Sequence, residues 1–158
     1  MATIHSVLIT VDKEIVAAIE SDRLEALADA VMDAEGLPPG ELGVVITDDE
    51  TIRELNREYA GDDTPTDVLA FSLREGEEFA SPDGVVRLGE VIISYPTAQR
   101  QAAEADRAVE DEIDHLLVHG VLHLLGYDHA EPAEEERMRA RERELLDAGG
   151  LTRRPITR

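Results

Sequence analysis

Between Val109 and Leu125 the chain is apolar almost all the way round a helix. Ile113, Leu116, Leu117, Val118, Val121, Leu122, Leu124 and Leu125 leave it no broad polar face. A helix of that kind has to be buried by the rest of the fold, so any architecture for this chain must wrap around it. Two histidines, His119 and His123, nevertheless stand on it four residues apart. Four residues rise about 6 Å and turn about 400°, so both rings leave from one face. Buried imidazoles need partners. A lone histidine in such a helix usually finds a hydrogen bond, whereas a pair at i and i+4 is most simply satisfied by a metal ion.

The residues just beyond the helix strengthen the case for a metal. Gly126 stands where a helix can end in a left-handed residue, because glycine has no Cβ to penalise positive φ. The chain can then turn back and bring His129 toward His119 and His123. Three imidazoles leave one tetrahedral position open, which marks a catalytic rather than a structural zinc site. The spacing also matches the zinc-protease pattern His-Glu-x-x-His-x-x-Gly-x-x-His, with one change. The glutamate that serves those proteases as general base is replaced by Gly120, so the cage is expected without the residue that makes it a peptidase. Cysteine is absent, and any metal must be held by nitrogen and oxygen donors.

The remaining chain supplies the wrapping. Ile4 to Val11, Leu42 to Thr47, Val68 to Leu73 and Leu88 to Ser94 read as strands. Helices are expected over Asp22 to Glu35, from Asp48 or Asp49 to Tyr59, from Pro96 to Arg107, and over Glu134 to Ala148. Glu75 to Gly84 is an acidic, turn-rich excursion. Strands separated by helices, then helices alone, indicate an α+β domain: a small mixed sheet of about four strands covered by helices, including the histidine-rich one. The 158 residues fit one domain, 1–158, with 151–158 expected as a flexible tail.

Net charge is −21 and the single lysine is Lys13, so the positive charge is almost all arginine. An acidic chain is a poor generic binder of nucleic acid. A divalent cation and a few local arginines can still invert the field at one site. No apolar run approaches the ~20 residues of a membrane span, and the N-terminus lacks a signal-peptide profile. The cytoplasm is the expected compartment, with no membrane partner.

The stretch from His119 through Gly120, Leu122, His123 and Gly126 to Tyr127, Asp128 and His129 resembles the signature of the YbeY family, bacterial metal-dependent endoribonucleases. Two further stretches agree. Asn56, Tyr59, Gly61, Asp63 and Pro65-Thr66-Asp67-Val68-Leu69 with Phe71 resemble the family's Pro-Thr-Asp-Val-Leu-Ser-Phe strand and the loop before it. Leu88-Gly89-Glu90-Val91-Ile92-Ile93 is similar to its Leu-Gly-Asp/Glu strand. Two positions depart: the arginine that usually follows the tyrosine is Ala60, and the serine before the phenylalanine is Ala70.

The resemblance implies cleavage of single-stranded RNA in ribosomal RNA maturation, at the 16S 3′ end, and in ribosome quality control. The implied partners are ribosomal RNA and the ribosome or its small subunit. It also implies one divalent metal, zinc above all, held by His119, His123 and His129. Asp128 is a candidate acceptor orienting an imidazole or a loop cap. His115, one turn before His119, is a candidate relay or a partly exposed histidine. Arg57, Arg74, Arg87 and Arg100 are candidates for phosphate contact, and Arg57 or Arg53 is a candidate stand-in for the arginine missing at 60. Asp67 reads as a loop cap, or else as a base near the metal, and Met138 as core. Two rival functions are a metallopeptidase-like hydrolase and a non-catalytic ribosome-assembly factor whose metal holds the fold.

Overall fold

The computed structural model describes residues 6–15, 19–37, 40–72, 86–127 and 131–149. The acidic stretch 75–84 and the tail 151–158 lie outside them. In chain order the elements are β1 (Ser6–Val11), α1 (Ser21–Ala34), β2 (Gly40–Thr47), α2 (Asp49–Ala60), β3 (Val68–Ser72), β4 (Val86–Ser94), α3 (Tyr95–Glu104), α4 (Val109–Leu124) and α5 (Pro132–Gly149). The expected elements are all present, with ends shifted by a few residues, and the α+β reading is borne out.

The four strands form one sheet in the order β1-β2-β4-β3. β1, β2 and β4 are parallel, and β3 is added antiparallel at the edge. Alternation along the strands sends Val7, Ile9 and Val11, then Leu42, Val44 and Ile46, then Val91 and Ile93 into one core. Helices α1 and α4 cover that face, and α5 packs on both of them. Helix α4 also contacts β3, β4 and α3, which is the all-round burial that its composition demanded.

Caps set the helix ends. Asp48 Oδ1 accepts from the Thr51 amide at 2.7 Å, opening α2. Its neighbour Asp49 instead ties α2 to the β4–α3 junction, accepting from Ser94 Oγ at 2.6 Å, Thr97 Oγ1 at 2.7 Å and Arg100 Nη2 at 3.0 Å. A buried pair spans the core's rim: Arg23 Nη1 meets both carboxylate oxygens of Asp114 at 2.7 Å, joining α1 to α4.

Two details deliver β3 to α4. The register slips between Glu41 and Leu42 of β2, whose partners on β4 are Arg87 and Gly89. The extra residue is Leu88, a β-bulge that bends β4. At Gly89 φ is +140°, and a Cβ would run into the Phe71 carbonyl oxygen of β3, so only glycine lets the two strands pair there. The loop into β3 is held by Asn56, 6% exposed, whose Nδ2 donates to the Thr64 carbonyl at 3.0 Å. An exposed ion pair of Arg53 with Asp63, 2.9 Å, braces the same loop.

Candidate metal centre

Helix α4 begins with Glu110, Asp111 and Glu112 at the positive end of its dipole and ends in a reversal. The Gly126 amide donates to the His123 carbonyl at 3.1 Å, and the Tyr127 amide donates to the Leu122 carbonyl at 3.0 Å. Together with φ of +103° at Gly126, these bonds are a Schellman motif, the left-handed ending expected from the glycine. Tyr127 then donates its hydroxyl to Glu35 Oε1 at 3.1 Å, and Arg141 Nε of α5 meets Glu35 Oε2 at 2.6 Å. The end of α4 and the body of α5 are thus fastened to the same carboxylate just past the last turn of α1.

His119 and His123 project side by side, ring centroids 5.4 Å apart and planes at 75°. Two imidazoles on one tetrahedral zinc, with Zn–N of about 2.0–2.1 Å, would set their centroids roughly 5 Å apart. The described pair therefore suits two adjacent coordination positions of a single metal ion. Both rings line a cleft of about 310 Å³ with Gly120, facing Thr66 to Ala70 at the sheet edge. Among the described residues no group of three or more such donors forms. His129, the expected third ligand, and Asp128 lie outside the described residues.

Gly120 has a steric role that its sequence position does not announce. It is buried, and a Cβ there would stand 2.7 Å from Val91 Cγ1 on β4. Helix and sheet approach too closely for any side chain. The protease glutamate has no room at this position, and the peptidase reading loses its base.

The other side of His119 holds a residue that the sequence reading missed. Glu142 of α5 is 4% exposed. Its Oε2 lies 2.5 Å from His119 Nδ1 and its Oε1 lies 3.0 Å from His115 Nε2. Burial raises its pKa, but the hydrogen bonds from His115 and His119 and their charge outweigh it, leaving Glu142 at about 2. The signal was legible in principle: Met138, Glu142 and Leu145 follow one helical stripe, and both Met138 and Leu145 are core. A carboxylate on an apolar stripe asks for a partner. His115 is half-exposed, at 38% for its side chain, and lines a second pocket of about 650 Å³ with His119, Met138 and Glu142. It combines partial exposure with a bond to the carboxylate behind His119.

The arginine candidates fare unevenly. Arg87 pairs with Glu41 at 3.2 Å and Arg100 with Asp49 at 3.0 Å, while Arg74 lies outside the described residues. Arg57 is exposed in the last turn of α2, where its charge helps lower the pKa of Asp63 after the larger effect of Arg53. Asp67 has structural contacts, Gln101 donating to its Oδ2 at 3.3 Å and its carbonyl accepting from the Ser94 amide at 3.0 Å, and it also lines the cleft of His119 and His123. Met138 is core, at 1% exposure. No helix among the described residues is long and apolar enough to cross a membrane.

A family model described as Endoribonuclease YbeY matches residues 8–150. A protein of that name from Aquifex aeolicus is 49% identical over 119 residues, 75% of this chain and 76% of that one. Another, from Chloroflexus aurantiacus, is 43% identical over 155 residues, 95% of this chain and 99% of its own. The solution structure of TM1509 from Thermotoga maritima shares the fold with a TM-score of 0.58 at 23% identity, covering 96% of this chain and 99% of that one.

Proposed function

The chain belongs to the YbeY endoribonuclease family, and from that membership we propose that it hydrolyses single-stranded RNA with one divalent metal. The observation that carries the metal reading is the His119–His123 pair, set at 5.4 Å in a cleft beneath the edge strand. His119, His123 and His129 would hold the ion. An all-imidazole donor set suits zinc among the common metals. When bound, such an ion acidifies a water and polarises a phosphoryl oxygen.

The chain's own residues do the rest. Gly120 keeps α4 tight against β4, so the cleft floor is fixed by packing. The bulge at Leu88–Gly89 and the Asn56 loop anchor set the opposite wall, Thr66 to Ala70. An RNA strand entering the cleft meets a pre-formed slot between a helix and a strand edge, and preorganisation of this kind lowers the cost of binding. The physiological substrate in this proposal is ribosomal RNA of the small subunit, processed in the cytoplasm.

The test pairs metal analysis with cleavage of a labelled single-stranded RNA, with and without chelator. About one zinc per chain is expected. Chelation should abolish cleavage while far-UV circular dichroism persists, and His123→Ala should lose the metal. Full cleavage by metal-free His119→Ala protein would refute the reading. Unfolding on chelation would point instead to a metal that holds the fold.

A further inference from the structure

Glu142 occupies a place where an apolar side chain would pack without desolvation. It faces α4 from the stripe that carries Met138 and Leu145. A buried charged cluster replaced as a whole by well-packed apolar residues is often no less stable. Helix packing alone does not account for a carboxylate. Its two oxygens are each matched to a different histidine, His115 at 3.0 Å and His119 at 2.5 Å.

We propose that Glu142 is the positioning residue of the metal centre: it keeps the proton of His119 on Nδ1, turns Nε2 toward the metal, and is itself anchored by His115. The inference rests on His119 and His123 being ligands. A carboxylate only accepts hydrogen bonds, so both histidines donate to it, which fixes the tautomer of each. The two nitrogens of an imidazole point away from each other. His119 lines both the cleft it shares with His123 and the pocket it shares with Glu142. With Nδ1 directed to α5, Nε2 is the nitrogen presented on the His123 side. Carboxylate partners of this kind orient a ligating ring and raise its basicity. His115, one turn from His119 and 6.3 Å from it ring to ring, holds Oε1, so the carboxylate cannot rotate away from His119 without breaking a second bond.

The test measures zinc affinity by competition with a chromophoric chelator, and the His119 tautomer by long-range 15N–1H spectra of the metal-free protein. Glu142→Gln keeps the volume, but its amide supplies one acceptor for two donors. It should bind zinc about 10–100-fold more weakly, while the metal-free variant still unfolds in one cooperative transition, at a lower midpoint than wild type. The wild-type His119 should show a single Nδ1–H tautomer, and the variant a mixture. Should Glu142→Gln fail to fold, Glu142→Met restores an apolar stripe and should show the same two losses. Wild-type zinc affinity together with an unchanged tautomer in a folded variant would overturn the proposal. Absence of zinc binding by the wild type would overturn the metal reading itself. A single Nδ1–H tautomer in that metal-free protein, lost in the variant, would still show Glu142 setting the ring.

Discussion

Gly120→Ala is the sharpest probe of the helix–sheet contact beneath the site. The new methyl would meet Val91 Cγ1 at 2.7 Å, Cγ2 at 3.1 Å and Cβ at 3.4 Å. Carbon pairs prefer about 3.5–4.0 Å, so the closest contact is short by roughly 1 Å. Val91 has little room to yield. It is 0% exposed, paired to Val44 on one side and Ala70 on the other, and valine is stiff at χ1. Overpacking of this kind costs about 1–3 kcal/mol. Alanine recovers about 0.8–1.0 kcal/mol over glycine inside a helix. With Val91 held on both sides the upper part of the overpacking range applies, about 2–3 kcal/mol, so the net expectation is a loss of about 1–2 kcal/mol, or roughly 2–8 °C in Tm for a domain of this size.

A double-mutant cycle isolates the clash. Val91→Ala alone should cost about 2–3 kcal/mol. In that background the clash is gone and only the helical preference acts, so Gly120→Ala should stabilise by up to about 1 kcal/mol. The chain has no tryptophan, so urea unfolding is best followed by far-UV circular dichroism, on metal-free protein to exclude stabilisation by ligand. Gly120→Ala that leaves the otherwise wild-type protein as stable as before, or more so, would refute the steric reasoning and reopen the question of why glycine stands there.

Three further outcomes are expected. Arg23→Met should lower stability by up to about 3–5 kcal/mol by removing the cation that meets both oxygens of Asp114, 5% exposed, and the double change with Asp114→Leu should recover most of it; equal losses in single and double variants would argue against a coupled pair. Burial raises the pKa of Asp49, but hydrogen bonds from Ser94, Thr97 and Arg100 hold it below its ordinary 3.8. Its contribution is therefore complete above that value and fades as pH falls through the lower folded value. The urea midpoint of Asp49→Asn should trail wild type at neutral pH and converge with it in strong acid; a gap that widens in acid would refute this. Ala60→Arg should steepen the salt dependence of RNA binding by about 0.7 in log–log slope, one added phosphate contact on a single strand; a parallel slope would show that position 60 does not face RNA.

Local rules carried the sequence reading a long way. Period-2 and period-3.6 patterns located the strands and helices, and the apolar girth of α4 predicted its burial on all sides. The glycine after Leu125 marked the left-handed ending that the bonds at Gly126 and Tyr127 display. What stayed hidden was what each face meets. Periodicity tells that a stripe of α5 is buried, but not that its one carboxylate meets histidines 27 and 23 positions earlier. The partner of Arg23 lies 91 positions away. Nor does a missing glutamate at 120 reveal that a valine on β4 forbids it. The antiparallel placement of β3 at the edge was equally closed to local reasoning, because strand order depends on which crossovers pack best and not on the strands alone.

The position of Glu142 on α5 has a temporal meaning. Synthesis from the N-terminus delivers the sheet and α4, with His119 and His123, before α5 exists. Until α5 closes over α4, and Arg141 latches onto Glu35, His115 and His119 lack the carboxylate they meet in the completed fold. With the carboxylate on the helix that follows α4, His119 meets its acceptor only after the sheet and α4 have left the site of synthesis.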